Sequence, residues 1–120
     1  MIPLPPEAPS DVRRAILEAL KSNDDDPHYT IYDNGRRFLA AQGFVPENVV
    51  LDLVDYLEDG CRLYLLQGPA IQGIKYQCCI GYDDDLDIHV KLTPRDDGSG
   101  GFHVMLGFHR HNTGYAPLPC

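Results

Sequence analysis

The chain has 120 residues, 43% of them hydrophobic, and a formal net charge of −8. That length suits one domain with a buried core, and no apolar run reaches the roughly 20 residues of a membrane-spanning helix. The charge weighs against a nucleic-acid binder, because phosphate contacts normally need a basic footprint.

Residues 1–9 are proline-rich and carry no basic residue ahead of an apolar run, so they read as an extended tail and not as a secretory signal. Ser10 or Asp11 can cap a helix whose apolar stripe is Val12, Ala15, Ile16, Ala19 and Leu20. From Asp24 to Asp33 the chain is polar and contains Pro27, which predicts a loop with a short extended piece at Tyr29 to Tyr32. A second helix is expected from Asp33 or Asn34, covering Arg36 to Gln42, with Gly43 just past its end. A third starts at Pro46, with Glu47 suited to the positive helix end, and buries Val49, Val50, Leu53, Val54 and Leu57 before Gly60.

Beyond Gly60 the apolar residues alternate. Arg62 to Gln67 is one candidate strand, closed by Gly68 and Pro69. In a second, Ile74, Tyr76, Cys78 and Ile80 share one side, with Lys75, Gln77 and Cys79 opposite. In a third, Leu86, Ile88, Val90 and Leu92 oppose Asp87, His89 and Lys91. Turn chemistry fills Thr93 to Gly101, and the last strand sets Phe102, Val104, Leu106 and Phe108 against His103, Met105, Gly107 and His109. Helices followed by strands predict an α+β domain over residues 10–120, its N-terminal helices packed on a C-terminal antiparallel sheet of three or four strands.

The four cysteines, Cys61, Cys78, Cys79 and Cys120, form no C-x-x-C pair, so they read as reduced thiols in a cytoplasmic protein. Acid gathers at Asp24 to Asp26, at Asp83 to Asp85 with Asp87, and at Asp96 and Asp97. These are solvated loops or, alternatively, a surface for a basic protein partner.

On the expected polar sheet face stand Lys75, Gln77, His89, Lys91, His103 and His109. Such a set suits metal-free phosphodiester chemistry: a base takes the ribose 2′-hydroxyl proton, an acid protonates the leaving oxygen, and cations stabilise the phosphorane. An ordinary wet sheet face is the plain alternative. A metal site from His103, His109 and His111 is a third, disfavoured because Asn112 to Gly114 ends the strand. Tyr64, Tyr76 and Tyr82 offer rings for stacking bases, although Tyr76 fits the core better.

Ile88 to Leu92 (Ile-His-Val-Lys-Leu), a spacer, and Val104 to His109 (Val-Met-Leu-Gly-Phe-His) resemble the closing pattern of the motility quorum-sensing regulator family of messenger-RNA interferase toxins. Arg37 to Phe44, the helix through Leu57, and Tyr64 to Pro69 extend the likeness over about residues 34–118. The resemblance implies a RelE-like fold, metal-free RNA cleavage without a cofactor, and neutralisation by a cognate antitoxin. By position it implies His89, His109, Lys91 and Gln77 as catalytic residues. The family's lysine after the third helix has no counterpart, Tyr64 standing nearest. Tyr64, Lys75 and His103 are expected to hold substrate, and the two imidazoles of His89 and His109 to flank one phosphate. The competing expectation is a non-enzymatic acidic protein, of phage or toxin–antitoxin inhibitor type, that occupies a partner's nucleic-acid-binding surface.

Overall fold

Near Gly60 helical periodicity gives way to alternation, and the architecture changes with it. The computed structural model describes residues 4–22, 25, 27–66, 74–83, 86–96, 102–111 and 117–120. It contains helices α1 (Ser10–Leu20), α2 (Asp33–Ala41) and α3 (Pro46–Glu58), and strands β1 (Tyr29–Ile31), β2 (Tyr64–Leu66), β3 (Lys75–Asp83), β4 (Leu86–Asp96) and β5 (Phe102–Arg110). Gly43 and Gly60, each two residues beyond a helix, adopt φ of 87° and 94°, the left-handed region that a side chain disfavours. Pro9 precedes α1 with no side-chain cap bond, so neither Ser10 nor Asp11 is the cap; Asp11 instead lies in the first turn, where its charge suits the helix dipole.

The α+β class holds, but the sheet is larger than expected and mixed. Its order is β1-β5-β4-β3-β2. β2, β3, β4 and β5 pair antiparallel in succession, whereas β1 lies parallel to β5. Val104 N–H donates to the His28 carbonyl at 2.9 Å and Tyr32 N–H to the Leu106 carbonyl at 2.9 Å. The short strand between α1 and α2 thus satisfies an edge of β5 that would otherwise face solvent. At the opposite edge, the Ala8 N–H bonds to Leu63 and the Leu65 N–H to Pro6, so the N-terminal segment covers β2.

β4 also runs beyond its expected end at Leu92, through Pro94, which pairs with Val104. Because the Val104 N–H points to His28, this pair is of the non-hydrogen-bonded kind. Pro94 therefore turns its nitrogen away from β5, toward positions beyond the last β3–β4 partners, Tyr76 and Leu92. Its missing donor costs the ladder nothing there.

Ile88, Val90, Leu92, Val104, Leu106 and Cys78 are fully buried, and Ile16, Leu39, Val49, Val50, Leu53 and Leu57 of the helices join them in one core. Arg13 of α1 donates from Nη2 to the Leu57 and Cys61 carbonyls, where α3 ends and its carbonyls lack helical donors. Ile74 departs from the expected apolar face. It precedes β3 and is 60% exposed.

Cys61 and Cys120 are joined by a disulfide, which corrects the expectation of four reduced thiols and removes the cysteine argument for a cytoplasmic location. The C-terminal residues return to Tyr64, whose hydroxyl donates to the Pro119 carbonyl at 3.2 Å, and this brings Cys120 to Cys61. Cys78 and Cys79 are free and buried on opposite sheet faces. Among the described residues no helix is long and apolar enough to cross a membrane.

The face assignment has a direct energetic consequence. Leu106→Ala should cost about 2–5 kcal/mol by emptying a core site, while Ile74→Ala should stay within about 0.5 kcal/mol. Urea unfolding of the two variants measures both, and equal losses would contradict the assignment.

Candidate functional site

Strand register assembles the polar face in rows. Gln77 pairs with Lys91 and Lys91 with Gly107; Cys79 pairs with His89 and His89 with His109. Gln77, His89, Lys91 and His109 are therefore brought together, and Lys75 lines the cleft beside them. His103 is not in the group. It lies six residues along β5 from His109, roughly 20 Å away for an extended strand, and its Nε2 meets Thr30 Oγ1 at 2.8 Å. Tyr64 is 1% exposed, so its ring offers no face to a base. Tyr76 is buried in the core, and the Tyr82 hydroxyl donates to Asp52 at 2.7 Å on the helix side.

The two imidazoles are closer than a shared phosphate would allow. His89 Nδ1 and His109 Nε2 are 2.8 Å apart, with ring centroids at 4.6 Å. They touch, instead of flanking a substrate atom as expected from the sequence. His89 Nε2 lies 2.8 Å from Gln77 Oε1, Gln77 Nε2 donates to the Leu65 carbonyl at 3.1 Å, and His109 Nδ1 lies 3.1 Å from the Arg110 carbonyl.

These partners fix the direction of every bond. A carbonyl only accepts, so Gln77 presents its NH2 to Leu65 and its oxygen to His89. That oxygen also only accepts, so His89 carries its proton on Nε2. Burial pushes the His89 imidazole down to about 4, and the positive charges of His109, Lys91 and His111 add to the effect. A neutral His89 protonated on Nε2 has a bare Nδ1, and His109 must donate to it from Nε2. The Arg110 carbonyl then requires a proton on His109 Nδ1 as well. The chain is complete when His109 is an imidazolium. When His109 loses one proton, the relay retains the one on Nε2 and leaves a lone pair on Nδ1. His109 is exposed.

Around this chain the face is uneven. Near Cys79 it is closed: Sγ lies 3.8 Å from His111 Nδ1, and burial raises the Cys79 thiol while a backbone bond from Leu118 opposes that. On the Lys91 side it opens into a cleft of about 590 Å³, whose lining includes Tyr32, Asp33, Asn34, Lys75, Lys91 and His109. Among the described residues no set of three or more His, Cys, Asp or Glu side chains is arranged to hold a metal. The acidic stretches expected as a partner surface lie mostly outside the described residues; Asp87 is described, and its carbonyl accepts the His111 N–H at 2.9 Å.

Tyr32, Asp33 and Asn34 did not emerge as site residues from the sequence. They reach the cleft because β1 pairs with β5, a contact across more than seventy positions (Tyr29 with Val104) that local pattern does not show. Gly107 was a usable signal: a glycine inside an alternating strand commonly marks a close approach.

An α+β protein with an exposed histidine backed by a partly buried histidine and a buried glutamine is the class these observations define. No protein-family model matches the chain, and neither a curated protein nor a solved structure matches it.

Because His89 resists protonation, the pair should take its second proton only near pH 4. Following the two histidine ring signals by NMR from pH 8 to pH 3 checks this. A single common midpoint near 6.5 for both rings, the ordinary imidazole value, would contradict the bond directions given above.

Proposed function

We propose that the protein is a metal-free endoribonuclease that cleaves single-stranded RNA, a messenger-RNA interferase type of toxin held in check by a cognate antitoxin and acting in the cytoplasm. The observation that carries the activity is the one-way hydrogen-bond chain from Leu65 through Gln77 and His89 to exposed His109, beside Lys91. The strand pattern from Ile88 to His109 that resembles the interferase toxins supports the same assignment.

In this mechanism the substrate's 2′-hydroxyl displaces the Arg110 carbonyl from Nδ1 of neutral His109 and gives its proton there. The 2′-oxygen attacks phosphorus, the 5′-oxygen departs with a proton from water at the open cleft, the hydroxide so formed takes back the proton that His109 acquired, and a 2′,3′-cyclic phosphate remains. Lys91 supplies the cation for the charge that grows on the phosphoryl oxygens. His89 acts as a positioning residue: it accepts from His109 Nε2, which keeps the lone pair on Nδ1 and spreads the charge that His109 acquires. Gln77 holds His89 in the tautomer this needs. A single base of this kind contributes about 10²–10⁴-fold.

An RNA digest in EDTA tests the proposal. The parent should yield cyclic-phosphate ends. His109→Ala should lose on the order of 10²-fold or more, whereas His89→Ala should lose less and shift the acid limb of the pH–rate profile. Full activity in the His109 variant would place cleavage elsewhere. An inactive parent, on RNA alone and on translating ribosomes, would favour the acidic binding protein, which the net charge of −8 supports.

A further inference from the structure

Gly107 lies in the cleft beside His109. A Cβ on Gly107 would lie 3.8 Å from Lys91 Cβ and 3.9 Å from Tyr32 Cδ2. Anything longer than alanine at that position would fill the floor between the lysine on one wall and the tyrosine ring on the other. At about 590 Å³ the space falls within the range of small-ligand sites, roughly 300–1,000 Å³.

Its charges are divided. Lys75 and Lys91 line the cleft, and among the described residues neither has an ion-pair partner, although the chain holds 18 acidic residues against 10 lysines and arginines. Two unpaired ammonium groups in so acidic a protein form a local anion site. Asp33 lies in the same cleft; a carboxylate repels phosphate and accepts hydrogen bonds from ribose hydroxyls or base N–H groups. The ring of Tyr32, 39% exposed, lines the cleft as well. An exposed aromatic ring beside a cationic pair matches the way single-stranded nucleic acids are held, by stacking and by phosphate contacts together.

From this arrangement we infer that the cleft is a one-nucleotide subsite, with the phosphate on Lys75 and Lys91, the base against Tyr32, and the sugar edge toward Asp33. The inference rests on the ribonuclease assignment for its biological substrate, but the binding it describes is independent of catalysis. It also accounts for RNA recognition by a chain of net charge −8: affinity comes from one local pair of cations, not from a field over the whole surface. One neutralised phosphate gives a salt slope of about −0.7 for a single strand, much shallower than that of a protein with a long basic groove.

Adenosine 3′-monophosphate, adenosine and inorganic phosphate, each titrated into the full chain and followed by ¹H–¹⁵N NMR, test the subsite. The monophosphate should bind saturably, with shifts centred on Tyr32, Lys75, Lys91 and Gly107, and more tightly than adenosine or phosphate alone. Tyr32→Ala and Lys91→Ala should each weaken it by on the order of 10-fold, and Gly107→Val should abolish it. His109→Ala should still bind while failing to cleave. Should Gly107→Val fail to fold, the Tyr32 and Lys91 variants decide the question alone. Absence of saturable binding, or the same affinity for inorganic phosphate as for the nucleotide, would overturn the subsite. RNA cleavage by a parent that does not bind the monophosphate would sink this inference and leave the ribonuclease assignment standing; binding without cleavage would do the reverse.

Discussion

The register of β4 is the constraint on which the rest depends. Its side chains alternate between two environments, and each of Ile88, Val90 and Leu92 is fully buried between neighbours on β3 and β5. A slip of one residue would send those three to water and drive His89 and Lys91 into the core. Burial on one face therefore fixes what appears on the other. The pairings that seal the core also align Gln77 with Lys91 and Gly107, and Cys79 with His89 and His109. The site inherits its precision from two long antiparallel ladders, and rigid strands hold side chains to closer tolerance than loops do.

Placing a partly buried histidine beside Gln77 is costly unless both its nitrogens are matched. His89 meets that condition, with Gln77 on one side and His109 on the other. Gln77 is itself 9% exposed and is satisfied by the Leu65 carbonyl. Because the chain starts at a backbone carbonyl that only accepts, its direction cannot reverse without breaking a partly buried bond. A neutral, oriented His89 is the result, backing the one exposed member, His109. The neighbouring cleft adds a second asymmetry, closed near Cys79 and open above Gly107, so an incoming ligand meets His109 from the lysine side.

Much of the fold was legible because alternation and helical spacing are local signals. The stripe of Val49, Val50, Leu53, Val54 and Leu57 became the buried face of α3, and the alternation from Leu86 to Leu92 and from Phe102 to Phe108 became the paired central strands. The cross-strand meeting of His89 and His109 followed from the same pattern. What escaped was non-local. Nothing near Tyr29 announces that it will pair with Val104 in parallel, nor does anything near Cys120 announce Cys61. Tyr64 lost its expected role for that reason, since the returning C-terminal segment buries it. Pro94 misled in the opposite direction: a proline reads as turn chemistry unless the side to which its nitrogen points is known. His103 alternates like His109 but belongs to the far end of the strand, a matter of length that face assignment alone ignores.

The central claim is that His109 donates to a neutral His89 whose proton sits on Nε2. Ring ¹⁵N chemical shifts of both histidines at neutral pH read this most directly, since protonated and bare imidazole nitrogens resonate far apart. The expected result is a protonated Nε2 and a bare Nδ1 on His89, with Nε2 of His109 protonated whether or not Nδ1 is. A His89 found with its proton on Nδ1, donating to His109, would reverse the chain and contradict the account.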